Sequence, residues 1–373
     1  MLTRIETVNY RGFGDATLDG LRRINVITGA NGSGKTALLE AVYLSTFGHP
    51  MALLGMNAAR GMNDASAAVV AGGGPFAAIG LQFAPDSFRS AWLSLLAHPA
   101  NSLRLKTQEQ TPEGPATERE LVVSSEGGLA QLPPIGGSAI PASLFGPTIS
   151  FKRIVDNKDV GLITAVLDAE GRMGVNQPLI RFGPECLYFP GTSTHSEADN
   201  IKWLSKLRVL GSEKSVVDAI RREFPFIHDL EVLAPNGSPG IFAKLDDNHL
   251  RPLPLVSSGI YRLTSLILGL ATLKHGIVLI DEIENGIFYD RYDSVWRTLF
   301  DLAIENDNQI FVTSHSLECL EALVPTLDRH QDQFLLLRAE RRDGRCAITK
   351  ISSRAMQAAL EGAVDIRGGG TSA

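Results

Sequence analysis

The chain has 373 residues, 44% of them hydrophobic and 20% charged, with a formal net charge of −6. That length holds two or three domain-sized units or one shared α/β core. The acidic balance excludes a chain dominated by global basic charge, the signature of proteins that bind nucleic-acid backbones over their whole surface.

Cys186, Cys319 and Cys346 are scattered without CxxC spacing. Three cysteines cannot all pair within one chain, so reduced thiols and a cytoplasmic location are expected. The N-terminus MLTRIETVNYRGF has no apolar h-region. The run Leu263–Leu273 is broken by Thr264, Ser265, Gly269 and Thr272 and reads as a core helix, so no membrane partner is expected.

In chain order, Leu2–Tyr10 alternates apolar and polar residues and then turns at Arg11–Gly14. Ile24–Thr28 is a short β-branched run suited to a buried strand, and it leads through Gly29–Thr36 into an amphipathic helix ending near Gly48. From Pro50 to Arg251 the pattern is less regular, with Gly/Pro-rich connections, short strand-like runs and a helix over Glu213–Phe224. No heptads are sustained, which argues against a long coiled-coil arm. Order returns with a helix over Ile260–Lys274, a strand over Ile277–Asp281, a helix over Asp290–Asn306 and a strand over Gln309–Thr313. Such alternation predicts a mostly parallel sheet flanked by helices. Gln333–Glu340 and Cys346–Ser352 read as a closing hairpin, and residues 368–373 as a disordered tail.

Gly29, Ala30, Asn31, Gly32, Ser33, Gly34, Lys35 and Thr36 satisfy G-x-x-x-x-G-K-[ST] between a strand and a helix. The glycines let successive N–H groups turn inward onto phosphate oxygens, and the helix adds its positive end. Lys35 is expected at the β and γ phosphates of ATP, and the Thr36 hydroxyl on Mg²⁺. The strand ending in Asp281-Glu282 would supply a carboxylate for the Mg²⁺ shell and, one residue on, a general base for the attacking water. Ser257, Ser258 and Gly259 open the helix before that strand. They read either as a second anion-binding device or as a plain Ser N-cap. His315 ends the next strand, where a neutral imidazole can sense the γ-phosphate.

Loop, Ser-Gly helix, Asp-Glu strand and strand-end His, in that order, resemble the ABC-type ATPase core. INVITGANGSGKTALLEAVYL is similar to the chromosome-maintenance (SMC) and DNA-repair ATPases and to the OLD (overcoming lysogenization defect) ATPases. LIDEIENGIFYDRYDSVWRTLF…QIFVTSHSLECLEAL is similar to small bacterial AAA-type ATPases of the OLD-like group. The resemblance implies an α/β P-loop NTPase with an ABC-type head formed by residues 1–50 and 251–367, carrying an inserted α/β lobe at 51–250 with antiparallel strands and helices. It implies a head-to-tail homodimer in which Ser257 and Gly259 reach the γ-phosphate of the other subunit. Asn285 and Gly286 would lie on the loop that communicates across that dimer, and Gln82 would link nucleotide to the lobe.

Three departures from the pattern bear on these expectations. The signature reads VSSGI rather than LSGGQ, and Phe288 stands where many OLD-like relatives carry histidine. The stretch after His315 is too short for the Toprim nuclease domain of OLD nucleases and holds no D-x-D pair. An ATPase acting through a separate nuclease- or Toprim-like effector, in anti-phage defence, is therefore the leading expectation. Direct action on nucleic acid is the alternative, with the pairs Arg22–Arg23, Arg221–Arg222 and Arg341–Arg342 as candidate contacts or as ordinary solvated surface. A transporter's ATPase subunit fits less well.

Overall fold

The computed structural model describes residues 1–59, 95, 102–111, 114–126, 148–167, 173–177, 179–191, 197–235 and 237–367. Gln82 and the expected tail 368–373 lie outside the described residues.

The strands are β1 Leu2–Tyr10, β2 Gly14–Asp19, β3 Ile24–Thr28, β4 Ser102–Glu109, β5 Thr117–Glu126, β6 Thr148–Val155, β7 Lys158–Leu167 and β8 Met173–Val175. They continue with β9 Cys186–Phe189, β10 Ile227–Leu233, β11 Gly240–Leu245, β12 Leu250–Pro252, β13 Ile277–Ile280, β14 Gln309–Ser314, β15 Phe334–Arg342 and β16 Arg345–Ile351. The helices used below are α1 Lys35–Phe47, α2 Met51–Ala59, α3 Glu197–Val209, α4 Glu213–Glu223, α5 Leu253–Val256, α6 Ser258–Thr272 and α7 Tyr292–Glu305.

The core is a six-stranded sheet in the order β16-β15-β3-β14-β13-β9. Every neighbouring pair is parallel except the β15–β16 hairpin. β3, β13 and β14 are buried along their whole length, which is why they read as continuous apolar runs rather than alternating ones. Their side chains still divide by parity. Ile24, Val26, Val278, Ile280, Ile310 and Val312 face one core with α6 and α7, while Ile27, Ile277, Leu279 and Phe311 face a second core with α1.

A seven-stranded sheet, β2-β1-β4-β5-β6-β7-β8, closes that second core from outside. All of its pairs are antiparallel. Leu103, Leu105, Leu121, Val123, Phe151 and Ile163 point inward, so α1 lies between two sheets. Gln309 joins them: its side-chain amide bonds both the N–H and the carbonyl of Leu2, at 2.7 and 2.8 Å. A three-stranded sheet, β10-β11-β12, packs with α3 and α4 on the α6 side.

The sheets do not divide where the sequence pattern divides. β9 lies within the span expected as an insert, yet it is the edge strand of the parallel core sheet. β1 and β2, expected with the head, form one continuous antiparallel sheet with β4–β8. The physical reason is that β1 offers a free edge to β4, and pairing along almost its full length satisfies both backbones.

Helix α6 starts at Ser258, two residues before the expected Ile260, because Ser257 caps it by accepting from the Ile260 N–H at 3.4 Å. Among the described residues, no helix is long and apolar enough to cross a membrane.

Candidate nucleotide-binding site

The loops that follow β3, β13, β14 and β9 all leave the same edge of the parallel sheet, the carboxyl ends of its strands, where open α/β sheets take their ligands. After β3, Gly29, Gly32 and Gly34 all have positive φ, which lets the chain curl before α1 begins at Lys35. Gly29 is also sterically required. A Cβ there would lie 2.2 Å from the Ala339 carbonyl oxygen of β15.

Lys35 is buried and turns back into the loop, donating to the Gly29 and Ala30 carbonyls at 2.7 and 3.1 Å. Burial lowers its pKa, and the charges of Asp281, Glu282 and Glu284 oppose that shift. The Ser33 hydroxyl oxygen is buried with no hydrogen-bond partner among the described residues. From the next turn, the Thr36 hydroxyl donates to the Asp281 carboxylate, at 3.0 and 3.2 Å from its two oxygens.

Asp281 stands just past β13 and is 8% exposed. Burial raises its pKa, and the hydroxyls of Thr313 and Thr36 partly offset this. Thr313 belongs to β14 and works twice: its hydroxyl donates to Asp281 Oδ1 at 2.5 Å and accepts the Glu282 N–H at 2.8 Å. The sequence pattern missed it, although it lies two residues before His315 on the strand already singled out.

Glu282 has φ +50°, the left-handed region that costs a residue with a Cβ about 1–2 kcal/mol. Its Oε2 accepts from the Asn285 side-chain amide at 2.6 Å. The same amide reaches the Gly191 carbonyl at 3.1 Å. Gly191 leaves no room for a side chain, since a Cβ there would lie 2.7 Å from Glu282 Oε2.

Two more residues escaped the sequence pattern. Arg262 on α6 is 7% exposed and donates to the carbonyls of Pro190, Gly191, Asp281 and Glu282. Burial lowers its pKa, against the raising effect of Asp281, Glu282 and Glu284. Its signal was legible in retrospect: it is the one charged residue in SGIYRLTSLILGLAT. Glu284 is 8% exposed and accepts from the backbone N–H groups of His315 and Ser316 at 2.7 and 3.2 Å, and from His315 Nδ1 at 2.8 Å.

Lys35, Thr36, Asp281, Glu282 and His315 are thus brought to one edge of the sheet. Ser257 and Gly259 open α6, which lies against the acidic loop. There Gly259 packs on Gly286 so closely that a Cβ would lie 1.8 Å from the Gly286 carbonyl oxygen. Phe288, just beyond, is 66% exposed and stacks on Tyr289.

Two family models match the segments that carry these residues: an AAA domain over residues 4–68 and an AAA ATPase domain over residues 187–320. Two curated relatives are similar over a short stretch. The DNA replication and repair protein RecF of Idiomarina loihiensis is 55% identical over 47 residues, which is 12% of this chain and 13% of that protein. RecF of Edwardsiella ictaluri is 41% identical over 86 residues, 21% of this chain and 24% of that protein. The chain therefore spans a quarter or less of the curated relatives it matches. Among solved structures, an SMC head bound to the C-winged helix domain of ScpA superposes with TM-score 0.53 at 13% identity, over 95% of this chain and 99% of that one. The fold is that of a P-loop ATPase head, and its motif-bearing segments match AAA ATPase models.

Proposed function

We propose that the chain is a Mg²⁺-dependent ATPase whose active site is completed by a second copy of itself. One observation carries this reading: oxygens of Thr36, Thr313 and Asp281 meet within 3.2 Å beside the phosphate-binding loop, with Glu282 next in line. Among the described residues no three His, Cys, Asp or Glu side chains gather into a metal cage. A sparse oxygen pair, Thr36 and Asp281, suits Mg²⁺, which takes its remaining ligands from phosphate and water. When bound, that ion neutralises charge on the β and γ phosphate oxygens.

The chain's own groups do the rest. The Gly29–Thr36 amides cradle the phosphates, and Lys35 exchanges the loop carbonyls for phosphate oxygens. Glu282 takes the proton of the attacking water at Oε1, its Oε2 being held by Asn285. His315 faces the γ-phosphate. Ser257, Ser258 and Gly259 serve the partner subunit's nucleotide, so ATP closes the dimer and hydrolysis releases it.

The output of that cycle is control of a separate nuclease- or Toprim-like effector in anti-phage defence, as the OLD-like resemblance implies. The similarity of a short stretch of the chain to RecF favours a second reading, direct action on DNA in repair. The two separate by binding: an affinity for duplex DNA that falls steeply with salt belongs to the second.

Lys35→Ala is expected to lose ATP binding by equilibrium titration, and an unchanged affinity refutes the loop assignment. Glu282→Gln should bind ATP, turn it over slowly and accumulate as dimer. Light scattering that shows monomer at saturating ATP counts against the shared site.

A further inference from the structure

Three observations on the signature helix converge on one side chain. Helix α6 lies against the acidic loop at two points a helical turn apart. At the first, Gly259 touches Gly286 backbone to backbone. At the second, Arg262 spreads its guanidinium under the ends of two strands. Nη1 donates to the Pro190 carbonyl at 2.8 Å and approaches that of Gly191 at 3.5 Å, both just past β9. Nη2 donates to the carbonyls of Asp281 and Glu282 at 2.8 and 3.1 Å, both just past β13.

The third observation concerns what those carbonyls belong to. Glu282 sits in a left-handed conformation that only surrounding contacts can maintain. Its N–H is held by Thr313, its side chain by Asn285, and its carbonyl by Arg262. Gly191, the other residue reached by the fork, packs directly on the Glu282 carboxylate. A lysine cannot make this arrangement, because one ammonium has no planar fork to span two strand ends.

We infer that Arg262 is the positioning residue through which helix α6 fixes the orientation of Glu282, so that whatever moves Ser257–Gly259 also moves the proton acceptor. This rests on Glu282 being the base, as proposed above. Arg262 touches no substrate. It acts by holding the backbone on either side of the carboxylate, and it makes the signature helix and the hydrolytic group one mechanical unit. Engagement of Ser257 and Gly259 by a second subunit's nucleotide would then reach Glu282 through a helical turn and a single side chain.

The test compares Arg262→Met, Arg262→Lys and Glu282→Gln with the parent, full length, reading single-turnover hydrolysis, ATP affinity and the unfolding midpoint. Arg262→Met should keep ATP affinity within about twofold while turnover drops by about 10², the penalty typical of a reacting group displaced by an ångström. Arg262→Lys should fall between, since it keeps the charge and reaches one strand end. Arg262→Met placed on Glu282→Gln should slow hydrolysis no further than Glu282→Gln alone, because both changes disable one group. Additive losses in that pair, or parental turnover in Arg262→Met, would overturn the inference. If Arg262→Met fails to fold, Arg262→Lys carries the same comparison alone and on Glu282→Gln. Parental turnover by Glu282→Gln removes the base assignment itself, and the Arg262 role with it, and is seen without any Arg262 variant.

Discussion

Glu284 organises the turn that carries His315. One of its oxygens accepts two backbone N–H groups and faces His315 Nδ1. Two acceptors cannot face each other at 2.8 Å, so Nδ1 carries a proton and Nε2 is the nitrogen left for a further partner. The sequence suggested a neutral imidazole bonding the γ-phosphate. With Nδ1 donating to Glu284, Nε2 can donate to a phosphate oxygen only when it too carries a proton. Removing the shared acceptor leaves the part-buried His315 N–H unpaired, while the Ser316 N–H keeps the Ser314 hydroxyl at 3.2 Å, at a cost of about 1 kcal/mol. Glu284→Ala should therefore lower the unfolding free energy from urea melts by that amount and reduce ATP turnover as much as His315→Ala does. Glu284→Gln, which can still accept through its amide oxygen, should retain most of both. A Glu284→Ala protein as stable and as active as the parent would show that His315 is held by something else.

At the scale of elements, the smallness of Gly259 admits two accounts. A signature glycine can be small so that a partner's phosphate can approach, or small because its own chain is in the way. A Cβ at Gly259 would lie 1.8 Å from the Gly286 carbonyl oxygen, and backbone cannot swing aside as a side chain does. Gly259→Ala should thus destabilise the isolated chain without nucleotide, by the roughly 1–3 kcal/mol typical of overpacking. A trans role alone predicts loss of ATP-dependent dimer and turnover with an unchanged urea midpoint, so an unaltered midpoint would refute the intrachain contact.

What the sequence could and could not disclose follows the same line. Gly29–Thr36 and Asp281-Glu282 were legible because each motif is contiguous and its neighbours have the right period. β3 and β14 appear within a residue of their expected ends for that reason. Glu284 and Gly191 were not, and the lone charge of Arg262 marked its position but not its partners, because their meaning lies in contacts with residues far along the chain, as in the bond from Arg262 to Pro190. The antiparallel sheet was legible as strand-like runs, but its pairing of β1 with β4 spans about a hundred residues of weak pattern and no local signal fixes it.

Across the whole molecule, helix α1 is held between two sheets, and His49 marks the seam. It is 1% exposed, at the junction of α1 and α2. Nδ1 accepts the Met51 N–H at 3.1 Å, so Nε2 carries the proton, toward the Gln177 carbonyl at 3.5 Å, just past the last strand of the antiparallel sheet. Nearby, the Gly183 N–H bonds the Thr46 carbonyl at 2.9 Å, so this segment wraps the end of α1. Burial lowers the His49 pKa; the Gln177 carbonyl opposes that shift and the charge of Arg153 adds to it. The folded chain therefore binds fewer protons at His49 than the unfolded chain does, in the window below the ordinary histidine value of about 6.5. Stability is full above that value and is lost as pH falls through it, because a second proton on Nδ1 would break the Met51 bond beside a buried guanidinium. The urea midpoint of the parent should thus drop between pH 7 and pH 5.5 more steeply than that of His49→Gln, whose side chain does not titrate. Parallel midpoint curves for the two proteins would mean that His49 does not couple the seam to pH. A steeper parent curve would mean that acid acts on the junction of α1 and α2 through His49.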